Sequence, residues 1–225
     1  MSGTRRDPTV EDLTKSETMA RPPRLKPIWT QADIDSITYF DEEERKLAVE
    51  KLFRSIRKYG NQATITVATG IHDPRGAMAT ARYGDVLGEL VLDGKPETRH
   101  VIGGTLLNLL VITVMKHCGD ESLLGSLARG GAGLAQGYEV KGFKRHHLMM
   151  MDFPDSEVWS SEQRLMLRYS RAVLDNTMTD ELWQQAVDAW GVKMCLRYIQ
   201  FMGYFWTACV RNRVLKVPYL LSRDA

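Results

Sequence analysis

The side chains best suited to proton chemistry in this chain are histidines, whose charge changes near neutral pH. Of five, His117 is the most informative, because Glu121 follows it by four residues. On a continuous helix that spacing puts an imidazole and a carboxylate on one face, where they can share a proton or tune one another's charge. Tyr138 and His146 follow a glycine-rich stretch and could roof the same cavity. The pattern is that of general acid-base catalysis by His117, Glu121, Tyr138 and His146. Either Arg129 or His146 would hold an acid or enolate oxygen, and His100 is a second candidate for substrate contact.

Each of these residues also has a structural reading. His117, next to Lys116 at a helix end, equally suits an exposed position at the negative C-terminus. Glu121 beside Asp120 favours a helix start, and His100 belongs to a polar helix start, Glu97 to His100. The basic run Lys141 to His147 has the composition of a solvated surface, and His72, ahead of Asp73-Pro74, shapes a turn. Adjacent His146 and His147 point in different directions on any regular element, so no metal site and no cofactor is expected. Gly125-Ser126 precedes leucine, outside the strand-to-helix turn that exposes a serine nucleophile.

The element that must position these groups is the uncharged run Val101 to Met115. It falls short of the ~20 residues that cross a bilayer, so it predicts a buried central helix. The small-residue run after it, SLLGSLARGGAGLAQG, suits close backbone approach at a bundle centre or pocket wall. Upstream, Pro22, Pro23 and Pro27 predict an extended strap, and residues 1–29 form an extended or partly disordered arm. Residues 30–225 form a single all-helical domain. A helix from Asp41 ends near Gly60, with Ala48, Val49, Leu52, Phe53 and Ile56 as its apolar stripe. Gln62 to Ile71 is helical or irregular, since an isolated strand there has no partner. Asp73-Pro74 predicts an N-cap with proline at the first helical position.

In the C-terminal third, Ser160 to Gln163 fits a capping box, with Leu165, Tyr169, Ala172 and Val173 as the following stripe. Thr179 caps a helix that turns Leu182, Ala186 and Trp190 inward and stops at Gly191. A last, largely buried helix carries Cys195, Ile199, Met202, Trp206 and Cys209 on one stripe, with Tyr198, Phe201 and Phe205 widening the apolar surface. The whole reads as all-α.

Composition narrows the classes further. With 225 residues, 44% apolar content and a formal charge of +2, the chain buries a substantial core and carries no large single-sign field. Neither a nucleic-acid nor a membrane partner is indicated. Three cysteines, Cys118, Cys195 and Cys209, form no C-x-x-C pair and fit reduced, buried thiols in a cytoplasmic protein; no signal-like segment opens the chain.

A resemblance rests on Ile71-His-Asp-Pro74, the buried helix, the glycine-alanine helix, WSSEQRLMLR (Trp159 to Arg168), TDELW (Thr179 to Trp183) and MGYF (Met202 to Phe205). In this order the chain resembles the carboxymuconolactone decarboxylase and alkylhydroperoxidase-D-like superfamily. The resemblance implies an all-helical bundle that assembles into dimers, trimers or hexamers, with a pocket near a subunit contact. The sequence departs from both branches. Where the peroxidase branch has C-x-x-C and a histidine, Asp120 to Ala128 reads DESLLGSLA. The histidine and upstream glutamate of the decarboxylase-like branch fall near Gly125 to Leu127 and Leu106 to Asn108, so no catalytic residue carries over.

The expected function is therefore a cofactor-independent lyase, isomerase or decarboxylase acting on a small organic substrate, aromatic-derived compounds among the candidates, by proton transfer. The alternative is a non-catalytic member that binds a small ligand or a protein through the same pocket. A thiol peroxidase ranks third, because one thiol near the family position cannot close an internal disulfide.

Overall fold

The computed structural model describes residues 23–59, 65–91, 106–119 and 150–217. Among these residues there are seven helices and no strand: α1 (Gln31–Asp35), α2 (Glu42–Tyr59), α3 (Ile65–Gly70), α4 (Pro74–Val91), α5 (Asn108–Cys118), α6 (Ser161–Asp175) and α7 (Asp180–Val214). The protein is all-α, as its periodicity predicts. No helix among the described residues is long and apolar enough to cross a membrane. The glycine-alanine stretch, Glu97 to His100, and the arm before residue 23 lie outside the described residues.

The chain divides into two compact units, Met1–Ala81 with Asn212–Ala225, and Arg82–Arg211. In the first unit, Ile28, Ile34, Phe40, Ala48, Leu52 and Ile71 form the core. The strap from residue 23 is non-helical, as its prolines require, yet it is pinned rather than loose. Ile28 is buried and its amide donates to the Ala68 carbonyl (3.0 Å), while the Arg24 amide donates to Leu215 O (2.8 Å). His72 adds a tie that fixes its own tautomer: Nε2 donates to Lys26 O (2.7 Å), so neutral Nδ1 accepts the Tyr39 hydroxyl. The turn role expected of His72 extends here to holding the strap.

Helix boundaries follow local chemistry. Thr30 and Asp33 form a reciprocal capping box on α1, and Arg45 of α2 donates to the Ile34, Asp35 and Ile37 carbonyls at its far end. Pro74 opens α4 where expected, with Asp73 Oδ1 accepting the Gly76 amide at 3.0 Å. Within Gln62 to Ile71, the described residues Ile65–Gly70 are helical, as α3. The α2 stripe needs one correction: Ala48 and Leu52 are buried, but Phe53 is half-exposed, because the buried face is narrower than the five-residue pattern.

Asp33 offers a clean acid test of the first unit. Burial pushes its carboxyl up, but hydrogen bonds from Lys26 Nζ, the Trp29 and Thr30 amides and the Thr30 hydroxyl outweigh this and hold it below the ordinary 3.8. A depressed pKa stabilises the fold above the unfolded value, and the contribution is lost as pH falls through the folded one. D33A is expected to cost about 1–2 kcal/mol at neutral pH, the scale of a lost cap. In urea titrations the gap between D33A and wild type should shrink toward zero once pH drops below 3.8. An undiminished gap in acid would show that charge plays no part.

The second unit is built around α5. Every residue from Asn108 to Met115 is buried, which bears out the sequestered central helix over the part of Val101 to Met115 that is described. Thr113 is accommodated because its hydroxyl donates back to Leu109 O at 2.7 Å. Met166, Leu167, Tyr169 and Ala172 of α6 share one core with the α5 residues, and the predicted Ser160–Gln163 capping box is present. Thr179 Oγ1 accepts the Leu182 amide (3.2 Å), and Gly191 (φ 76°, ψ 155°) breaks α7 where a stop was expected.

The last helical segment departs from the expected stripe. Cys195, Tyr198, Met202 and Cys209 face the core, whereas Ile199 and Trp206 are turned to solvent. Cys195, Met202 and Cys209 keep the expected stripe, and the buried face turns toward Tyr198, from its expected flank, rather than toward Ile199 and Trp206.

Candidate functional site

Helix α5 ends at Cys118, with Gly119 in the left-handed conformation (φ 62°) as its cap. The helical register invoked for His117 and Glu121 therefore stops before Glu121. Glu121, Tyr138, His146, Arg129 and His100 all lie outside the described residues. Of the predicted site residues, His117 alone is placed, and α6 supplies a different carboxylate for it. His117 Nδ1 lies 3.3 Å from Asp175 Oδ1, an ion pair when the ring is protonated. Among the described residues Nε2 has no hydrogen-bond partner.

This pair sits on a cleft of about 250 Å³ lined by Thr113, Lys116, His117, Met151, Asp152, Arg171, Leu174 and Asp175. Lys116 Nζ binds Asp152 Oδ1 at 2.7 Å, and Arg171 Nη2 lies 3.4 Å from the same oxygen. Arg171 also donates to the Met151 and Asp152 carbonyls (2.6 and 3.3 Å), tying the 150–160 loop to α6. Two further ties fix that loop: Arg168 pairs with Asp155, and Trp159 Nε1 donates to Met150 O (3.2 Å). The result is a wall facing the C-terminal end of α5, where the helix dipole favours the positive charge of Lys116.

The cleft is open rather than enclosed. The His117 side chain is 41% exposed and that of Asp175 52%, so water reaches the pair. The polar groups at the end of the buried rod thus meet a solvent-accessible mouth among the described residues, while Tyr138 and His146, expected to roof the cavity, lie outside them. Lys116, Asp152, Arg171 and Asp175 escaped sequence reasoning. Arg171 and Asp175 do stand four apart near the end of α6, a polar pair that flags a solvent-facing stripe without naming what it faces.

All three cysteines are buried and none is in a disulfide. Burial raises the Cys195 thiol pKa, which disfavours the reactive thiolate. Native protein should react sluggishly with a thiol reagent, and after peroxide treatment denaturation should release three titratable thiols. Disappearance of two would reveal an internal disulfide and revive the peroxidase reading. Among the described residues, no group of three His, Cys, Asp or Glu side chains converges to hold a metal.

Comparison with protein-family models, curated proteins and solved structures gave no match for this chain.

Proposed function

We propose that this protein is a cofactor-independent proton-transfer enzyme for a small organic acid, a lyase, isomerase or decarboxylase. We take its fold to be a divergent bundle of the carboxymuconolactone decarboxylase and alkylhydroperoxidase-D-like type, working as a cytoplasmic homo-oligomer. The observation that carries the reading is the His117–Asp175 pair on a cleft that also presents Lys116 and Arg171. In this reading neutral His117 accepts a proton from a carbon next to a carbonyl. The bonding electrons pass to the carbonyl oxygen, Asp175 steadies the imidazolium, and Lys116 faces the developing enolate. Return of the proton to another carbon gives isomerisation. In decarboxylation no C–H proton is taken: the bond to the carboxylate breaks with its electrons passing to the same carbonyl oxygen, and protonated His117 delivers a proton to the carbon that released carbon dioxide. Arg129 or His146 would complete oxygen binding, with Glu121, Tyr138 and His100 in the roles their sequence positions suggest.

A second reading is non-catalytic binding of a small anion. It is favoured by the wet mouth of the cleft and by the two cations Lys116 and Arg171, which share the single carboxylate of Asp152. One experiment separates the two. Enolisable keto and aromatic-derived acids are incubated with the protein in heavy water, and deuterium incorporation is followed by NMR. Exchange that disappears in H117Q supports the enzyme. Ligand-induced shifts at His117 without exchange support the binder, and exchange that survives H117Q rules out the proposed base.

A further inference from the structure

The core-facing row of α7 leaves a second row uncovered. Val192, Leu196, Ile199, Gly203, Trp206 and Val210 recur at alternating spacings of four and three, the 3.5-residue period of a helix-pairing seam. Along it Val192 is 51% exposed, Leu196 50%, Ile199 37% and Trp206 48%, while Val210 is half-buried. Gly203 is exposed, and a Cβ built there meets nothing within 4 Å. The seam carries no charged side chain from Val192 to Val210; Arg197, off the row, donates to Leu90 O at 2.9 Å.

We propose that this seam is the contact face for a second copy of this chain, with the two α7 helices packed antiparallel across a two-fold axis at Gly203. The pattern is self-complementary about that residue. Antiparallel superposition sets Leu196 against the partner's Val210, and Ile199 beside the partner's Trp206. The two glycines meet at the axis, where the absence of side chains allows close helix approach. An indole knob beside a glycine hole is the shape match that a symmetric helix pair needs. A strip of this length, about 28 Å at 1.5 Å per residue, buries on the order of 1,000 Å² across both partners, the range of a reversible dimer.

Sedimentation across a concentration series and disulfide trapping test this together. Wild type should shift from monomer to dimer as concentration rises. L196E/W206E should remain monomeric with unchanged helix content. G203C should form a covalent dimer on mild oxidation, whereas E157C, on the loop of the second unit, should not. A wild type monomeric at every concentration, or a G203C that traps no better than E157C, overturns the proposal. Loss of helix content in L196E/W206E also overturns it, since that outcome means the chain's own residues cover the face.

Discussion

Truncating Tyr169 to alanine is expected to cost about 3–5 kcal/mol, a large share of the ~5–15 kcal/mol that holds a typical domain folded. The ring is fully buried in the core of the second unit and meets Trp190 edge-on at 5.5 Å; Trp190 in turn meets Tyr198 at 5.3 Å. Its hydroxyl donates to the Cys195 carbonyl at 2.8 Å, just past the break at Gly191. One side chain therefore ties α6 to both sides of the α7 break. Y169F keeps the ring and loses only the donor, so about 1 kcal/mol is expected for it. Urea denaturation of both variants separates packing from hydrogen bonding, and equal losses would mean that the ring contributes little.

Alkali reports on the same cluster. Burial raises Tyr169, with the neighbouring Cys195 and Tyr198 adding to it, and pushes Tyr198 up to about 12. A raised folded pKa means stability is complete below the ordinary value of 10.0 and is lost as pH climbs through the folded one. Wild type should therefore weaken steadily above pH 10, and Y169F should weaken less.

The second large effect is on turnover. Positioned acid-base groups contribute roughly 10²–10⁴-fold to rate, so H117Q is expected to lower deuterium exchange by at least about 100-fold. D175N should cost less, about tenfold, because Asp175 is half-exposed and water can replace part of its effect. K116M, which removes the cation facing the enolate while leaving the base, should raise KM and lower kcat together. If D175N matched H117Q, Asp175 would itself be transferring the proton. If all three were silent in a protein that still exchanges substrate protons, the chemistry would lie elsewhere in the chain.

Much of the architecture was legible because it is written in neighbours along the chain. Ser160 and Gln163, Asp73 and Pro74, Thr179 and Gly191 mark helix ends through contacts within a few residues, and each does so in the structure. The uncharged run ending at Met115 was recognisably core, since a helix apolar on every side has to be buried. His117 stood out by residue type and by its place at the end of that run. Its partner did not. Asp175 reaches it only because α6 packs on α5 with one particular rotation, and that rotation depends on which apolar rows interlock. The same choice turned Tyr198 inward and Ile199 outward, though both fit a helical stripe. Sequence alone marked the helix ends at Ser160, Asp73-Pro74, Thr179 and Gly191 and the buried run ending at Met115, because those signals are local. The tertiary structure decided which charges meet and which apolar row is left uncovered, because side chains distant in sequence become neighbours only when whole helices dock.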